Sequence, residues 1–242
     1  MCAYYGCRLL DNLSKNVMDV LLYPFFWVYE GVTKFLRKYY REIRIALLLI
    51  AHASLFGLFF PGLRNGFGEW SRDLLVLILF VSPLARIFPI SLFQLIMGMR
   101  RELGILFAYL ATVHGIGYLM DPVWFPLPLS SYVASPSQMG YPLLLGVSAY
   151  ILTLPLLFTS NAFSIRFLKK RWKPLHRLTY VVFVLGMIHA FAIRHASGIW
   201  DAAFVISVYL ALKVLAKSPN VAPILLFRKI VGSKHRRFQT RE

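Results

Sequence analysis

Apolar residues in this 242-residue chain gather into six long runs, at about residues 43–62, 74–92, 101–120, 141–160, 175–194 and 199–217. Each approaches the ~20 residues that a helix needs to cross a bilayer. Within the runs apolar side chains fall on every face instead of at alternate positions, which predicts helices and excludes the strands of a β-barrel. The second run holds Pro83, Arg86 and Pro89, so its helix is expected to kink or end early. The sixth carries Asp201 near one end and Lys213 near the other, and spans only if both side chains snorkel to the interfaces. Ahead of the first run, the apolar stretch from Val17 to Tyr29 is interrupted by Asp19 and Pro24 and ends at Glu30. It is short for a span, and no small-residue cleavage site follows it. Residues 17–36 are therefore expected to lie on the cytoplasmic leaflet as an interfacial helix, with a seventh span as the alternative.

Composition agrees with that pattern. Hydrophobic residues make up 58% of the chain, aromatics 16% and charged residues 15%, with a mean hydropathy of +0.63. A soluble surface cannot carry this balance, so a cytosolic enzyme and a disordered tail are both excluded. The formal charge of +17 would raise the question of nucleic acid in a soluble protein. Here the membrane accounts for it, because Lys and Arg are retained on the cytoplasmic side and attract anionic lipid. Seven cations precede or open the first run, three surround the turn after the second (Arg86, Arg100, Arg101), six lie in residues 166–177 and eight follow from Lys213. That places 24 of 27 on one side, leaving Arg64, Arg72 and Arg194 outside. Both termini are then cytoplasmic and the chain reads as an all-α six-helix transmembrane bundle in a cell's inner (plasma) membrane. Its expected organisation is an N-terminal segment of residues 1–42, a membrane domain of 43–217 and a basic tail of 218–242. Residues 121–140, with four prolines and no Lys or Arg, are expected to form an ordered outer loop without regular structure. Cys2 and Cys7 are too few for a metal cage or a disulfide framework.

Four of the six histidines, His52, His114, His176 and His189, fall within or at the ends of the runs, where an ionisable group is a functional candidate. The third and fifth spans run in the same direction. His114 lies 13 residues beyond Arg101 and His189 lies 12 beyond Arg177, which at 1.5 Å per residue sets both about 18–20 Å up from the cytoplasmic end. Two neutral imidazoles at one depth on neighbouring helices can supply both axial ligands of a haem iron. Gly104, Ala108, Ala111, Gly115 and Gly186 would let backbones approach a flat macrocycle, although such a stripe alone also serves ordinary helix packing. His176 sits about 20 Å below His189, a spacing suited to a second haem, but its level on the third span is near Arg101, a poor iron ligand. His52 has no partner at its depth and reads as a structural histidine; His195 and His235 are interfacial or solvated. Arg194 could meet an outer propionate or serve as an ordinary span-end anchor. Arg86, Arg101 and Arg177 could serve an inner haem or anionic lipid.

Several short motifs then carry a resemblance: Ser82-Pro83-Leu84-Ala85-Arg86; Arg100-Arg101-Glu102-Leu103-Gly104 followed by His114; Leu156-Leu157-Phe158-Thr159-Ser160; and Arg171-Trp172-Lys173-Pro174-Leu175-His176-Arg177-Leu178-Thr179-Tyr180 followed by His189. With them, residues 69–216 resemble the MsrQ/YedZ family, the haem-binding membrane subunits of the bacterial periplasmic methionine sulfoxide reductase system, within the ferric reductase-like transmembrane superfamily. The resemblance implies that His114, His176 and His189 are haem ligands. It also implies a b-type cytochrome that takes electrons from a cytoplasmic flavin reductase or a quinol and passes them to an extracytoplasmic reductase.

One haem b is expected and two are possible, with a flavin or quinone as a further possible cofactor. About 25 residues follow the sixth span, and no Gly-rich nucleotide turn follows a strand, so a separate electron donor is expected. The chain then acts as an electron-transfer subunit of an oxidoreductase system, not as a self-contained enzyme. The expected partners are the lipid bilayer, the extracytoplasmic reductase and the donor, with no nucleic acid. The alternative reading is a transporter or proton-coupled carrier with His52, His114 and His189 lining its pathway.

Overall fold

A computed structural model of the chain describes residues 27–88, 90–121, 123, 129–135, 140–194 and 198–217, leaving aside the side chains of 129, 133, 134, 194, 198 and 199. Among the described residues every regular element is helical. The chain divides into two compact units, Met1–Ile43 and Arg44–Glu242. In the first, residues 27–38 form a helix (α1) with an exposed Lys34–Glu30 ion pair one turn apart. The interfacial helix expected over 17–36 lies partly outside the described residues, as do Cys2, Cys7, His195, His235 and the tail from 218.

Long helices stand at all six positions where apolar runs predict them: α2 (Tyr40–Ser54, prolonged by a 3-10 turn to Phe59), α3 (Arg64–Ile87), α5 (Arg100–Leu119), α7 (Tyr141–Phe158), α10 (Leu178–Arg194) and α11 (Gly198–Leu215). Short helices connect some of them: α4 (Ser91–Gly98), α6 (Leu129–Ala134), α8 (Ala162–Leu168) and α9 (Trp172–His176). Among the described residues four stretches are long and apolar enough to cross a membrane: Tyr40–Phe59, Arg100–Leu119, Tyr141–Phe158 and Ala162–Ile193. The chain is thus an all-helical membrane protein.

Within the second unit α3 packs on α5 and α7 on α10; α5 joins the two pairs, and α11 lies against α3 and α10. Each of these helices buries a small residue, Ala85 on α3, Ala108 on α5, Ala149 on α7 and Ala202 on α11, as suits close helix packing in lipid. The outward faces carry large apolar side chains such as Ile151, Phe158 and Phe204. Hydroxyls inside helices donate to the carbonyl one turn back, Thr112 to Ala108, Thr153 to Ala149 and Thr159 to Pro155, so no water is needed to satisfy them. Two ion pairs tie neighbouring helix ends. Arg44 meets Glu102 at 2.6 Å, and Arg64 meets Asp121 at 2.8 Å.

Two sequence expectations change. The outer segment 121–140 was expected to lack regular structure, yet it contains α6, whose Tyr132 is buried against Tyr118, Leu119, Leu143 and Val147. The proline count masked one short turn of helix held by a single aromatic anchor. The second expected helix begins at Arg64, about ten residues before the apolar run at 74, and ends at Ile87 with Pro83 inside it. Its first turns are polar, and a search for apolar runs cannot register them.

Candidate functional site

The polar start of α3 explains how the site is built. Asn65, Gly68, Glu69 and Arg72 follow the i, i+3, i+4, i+7 spacing of one helix face and line a cavity of about 460 Å³. α5 adds Phe107, Ala111, His114, Gly115 and Tyr118; α7 adds Gly146, Val147, Tyr150 and Thr153; α10 adds Val182, Gly186, Met187 and His189. Most of the wall is apolar or backbone-like. The polar groups gather toward Asn65, Glu69, Arg72 and Tyr118, and the Tyr118 hydroxyl donates to the side-chain oxygen Oδ1 of Asn65.

His114 and His189, matched for depth by residue counting, face each other in this cavity with ring centroids 6.2 Å apart and planes at 71°. Each ring is held from behind. His114 Nδ1 lies 3.0 Å from the Arg64 carbonyl oxygen and His189 Nδ1 lies 2.8 Å from that of Pro142. A carbonyl only accepts, so Nδ1 carries the hydrogen in both rings and Nε2 keeps its lone pair. This is the arrangement in which a second partner fixes the tautomer of a metal-binding histidine.

The seats for the rings depend on two glycines. A Cβ on Gly68 would lie 2.5 Å from His114 Nδ1, and a Cβ on Gly146 would lie 2.5 Å from His189 Cε1. Neither is compatible with the ring positions. Ala111, Gly115 and Gly186 of the expected small-residue stripe line the cavity, whereas Gly104 and Ala108 do not. Ala108 is instead buried at a helix contact.

These residues fit an iron porphyrin. An imidazole nitrogen binds such a metal at about 2 Å and stands about 1 Å from its ring centre, so two rings on opposite sides of one ion come about 6 Å apart. Among the described residues no group of three or more His, Cys, Asp or Glu is placed to hold a metal ion. Two histidines alone suit a metal whose remaining ligands belong to a macrocycle.

The other sequence candidates lie elsewhere. His176 Nε2 is 3.2 Å from the Thr159 hydroxyl, and its ring stacks on Trp172 at 4.1 Å between centroids. It does not line the cavity, and the contacts described for it include no second histidine. Arg101 Nε donates to the Ser160 carbonyl at 2.8 Å, beside the Trp172 indole that donates to the Thr159 carbonyl at 3.0 Å. Arg101, Trp172 and His176 thus gather around the last turn of α7. Arg194 ends α10, but its side chain lies outside the described residues. His52 Nδ1 meets the Leu48 carbonyl at 2.7 Å and its Nε2 faces the Tyr109 hydroxyl at 3.3 Å, away from the paired histidines.

Of the three cations expected outside, Arg64 is engaged with Asp121, while Arg72 lines the cavity and pairs with Asp73 at 2.8 Å. Reasoning from sequence passed over Gly68, Gly146, Asn65 and Glu69. The first, third and fourth share a helical spacing with Arg72 that was open to reading; Gly146 had no local signal, because its partner His189 is 43 residues away.

Comparison with known proteins covers the same part of the chain. The family model for the ferric reductase like transmembrane component matches residues 67–187, from beside Gly68 to two residues short of His189. The chain is 34% identical over 145 residues to the protein-methionine-sulfoxide reductase heme-binding subunit MsrQ of Agrobacterium fabrum, covering 60% of this chain and 64% of that protein. It is 33% identical over 122 residues to MsrQ of Rhizobium meliloti, covering 50% and 53%, and 35% identical over 130 residues to MsrQ of Azospira oryzae, covering 52% of each. These matches span between about half and just under two thirds of the relatives' lengths. No solved structure matches. With the family's pattern running across half the chain, taking in α5 and α7 whole and parts of α3 and α10, the chain belongs to the ferric reductase-like transmembrane family.

Proposed function

We propose that this protein is a membrane b-type cytochrome that carries electrons from a cytoplasmic flavin reductase or a quinol across the inner membrane to an extracytoplasmic reductase of the methionine sulfoxide reductase type. The observation that carries the reading is the pair of opposed imidazoles, 6.2 Å apart, each with Nδ1 committed to a backbone carbonyl. His114 and His189 would hold the haem iron. When bound, haem supplies a one-electron ferric/ferrous couple. The chain's own residues do the rest. The Arg64 and Pro142 carbonyls orient the two rings and raise the basicity of Nε2. Gly68 and Gly146 leave room for them, and the apolar wall from Phe107 to Met187 excludes water. Arg72 offers the cation nearest the polar end of the cavity for a propionate, a role that the sequence also allowed Arg194.

The reading includes six membrane-crossing helices, with α3 and α11 joining the four stretches already named as long and apolar enough to span, and both termini in the cytoplasm. Residues 1–42, 43–217 and 218–242 then form the N-terminal segment, the haem-binding domain and the basic tail. Support comes from the lopsided charge tally and from the relatives, whose names describe a haem-binding subunit of a methionine sulfoxide reductase. One haem follows from one histidine pair; His176 and Arg101 are assigned to the inner end of α7.

The test is a visible spectrum of protein purified from haem-replete cells. The dithionite-reduced wild type should show the sharp α band of a low-spin cytochrome b. His114→Ala and His189→Ala should each lose it, and His52→Ala should keep it. A folded, colourless wild type would overturn the reading.

A further inference from the structure

His52 stands on the outward stripe of α2. Leu49, 65% exposed, precedes it by three residues, and exposed Ala53 and Phe56, 69% exposed, follow. Positions 49, 52, 53 and 56 share one helix face, while Ala51 and Ser54 turn inward. On the topology above that face meets lipid. His52 lies eight residues past Arg44, about 12 Å along the helix and so below the phospholipid headgroups. An ionisable group on such a stripe is costly, which makes it a candidate for function.

Its chemistry is defined by its neighbours. Nδ1 donates to the Leu48 carbonyl at 2.7 Å, which leaves the Nε2 lone pair free to accept. The Tyr109 hydroxyl from α5 faces Nε2 at 3.3 Å, with ring centroids 4.9 Å apart. That contact is longer than the usual ~2.8 Å for a hydroxyl donor, so another hydroxyl can exchange into it. A hydrogen-bond acceptor and a donor therefore stand side by side on a lipid-facing surface. Tyr109 itself packs against the buried cluster of Ala51, Leu106 and Leu110, which fixes the phenol in place.

We infer that His52 and Tyr109 bind the headgroup of a lipid-soluble quinone or quinol. A quinol hydroxyl donates to His52 Nε2, and the Tyr109 hydroxyl donates to an oxygen of either redox form. The isoprenoid tail lies in the bilayer along the stripe of Leu49 and Phe56. A phospholipid headgroup does not reach this depth, and an acyl chain offers neither hydroxyl nor carbonyl there. Tyr109 precedes His114 by five residues, about 7.5 Å of helix rise. The inference rests on the cytochrome reading for the fate of the electrons, which it assigns to a membrane donor, but the binding itself does not depend on haem.

The experiment is photolabelling of the full chain in nanodiscs with an azidoquinone, competed by excess decylubiquinone, with peptide mapping. Label should map to the α2 segment around His52 or the α5 segment around Tyr109. His52→Leu and Tyr109→Phe should each weaken binding about tenfold, the effect of one lost hydrogen bond in an apolar setting. The haem spectrum and gel-filtration profile should be unchanged. Competed label elsewhere in the chain, or undiminished labelling in the variants, overturns the inference, including the case in which the variants are less heat-stable because the pair is purely structural. If His52→Leu fails to fold, Tyr109→Phe decides, since it removes one hydroxyl and keeps the packing. Site-specific label in a haem-free wild type would sink the cytochrome reading and leave this site standing; lost label with haem present sinks this site alone.

Discussion

A methyl group added at Gly146 would sit 2.5 Å from the His189 ring, and one at Gly68 equally close to His114. Gly146→Ala and Gly68→Ala are therefore expected to displace the rings and to lower bound haem several-fold, measured as the haem-to-protein ratio by pyridine haemochrome. Gly104→Ala is the control: nothing lies within 4 Å of a Cβ there, and haem content should stay at the wild-type level. Equal haem in all three variants would show that the rings do not depend on those glycines. Stoichiometry at His176 belongs to the same scale. With its Nε2 against Thr159 and its ring on Trp172, His176→Ala should leave one haem per chain, as in the wild type. A fall from two to one would restore the second site that residue spacing alone allows. At this scale the sequence was legible along each helix, where counting residues matched His114 to His189. It was mute across helices, because what touches a histidine ring from α3 or α7 depends on packing.

Among the elements, α2 and α5 are fastened at one end by Arg44 and Glu102, whose carboxylate is 2% exposed. Removing Arg44, whose side chain is 40% exposed, leaves a buried carboxylate without this counter-charge, a change that costs less than the ~3–5 kcal/mol of breaking a fully buried pair. Arg44→Ala should lower the thermal midpoint in detergent markedly, while Arg44→Met combined with Glu102→Leu should recover most of it. If the single and double variants melt alike, the pair carries no such weight. The charged start of α5 was visible in sequence, but its partner was not, since Arg44 and Glu102 are 58 residues apart. The start of α3 escaped for a different reason. Its first turns, from Arg64 to Asp73, are amphipathic, with Asn65, Glu69 and Arg72 toward the cavity, and hydropathy reports only the apolar remainder. α6 escaped for want of length: six residues among prolines give no period to count.

For the whole molecule, the lopsided distribution of Lys and Arg makes orientation the sharpest expectation. After Cys2 and Cys7 are replaced by serine, Ser131→Cys in α6 should react with an impermeant maleimide in intact cells. Ser164→Cys in α8 should react only after the membrane is opened. The reverse pattern would invert the bundle and the direction of electron flow with it. Among the described residues the places of the long helices were readable from apolar runs, and four stretches there are long and apolar enough to cross a membrane. How those helices join was not: α3 packs on α5, α7 on α10, and α11 closes on α3 through contacts that no run length encodes.

Both ring-orienting acceptors, the carbonyls of Arg64 and Pro142, belong to the main chain at the first residues of α3 and α7. Every amino acid carries that oxygen. Alanine scanning at 64 and 142 would leave both acceptors in place and score them as dispensable, apart from what the Arg64 guanidinium does for Asp121. Side-chain identity at these two positions is free to drift as far as the histidines are concerned, provided the helix still begins there. An insertion or deletion of one residue inside the first turn of either helix would rotate that start by about 100° against the rest of the helix and carry the oxygen away from its ring. The register of those helix starts, more than the side chains they carry, is what the two histidines need.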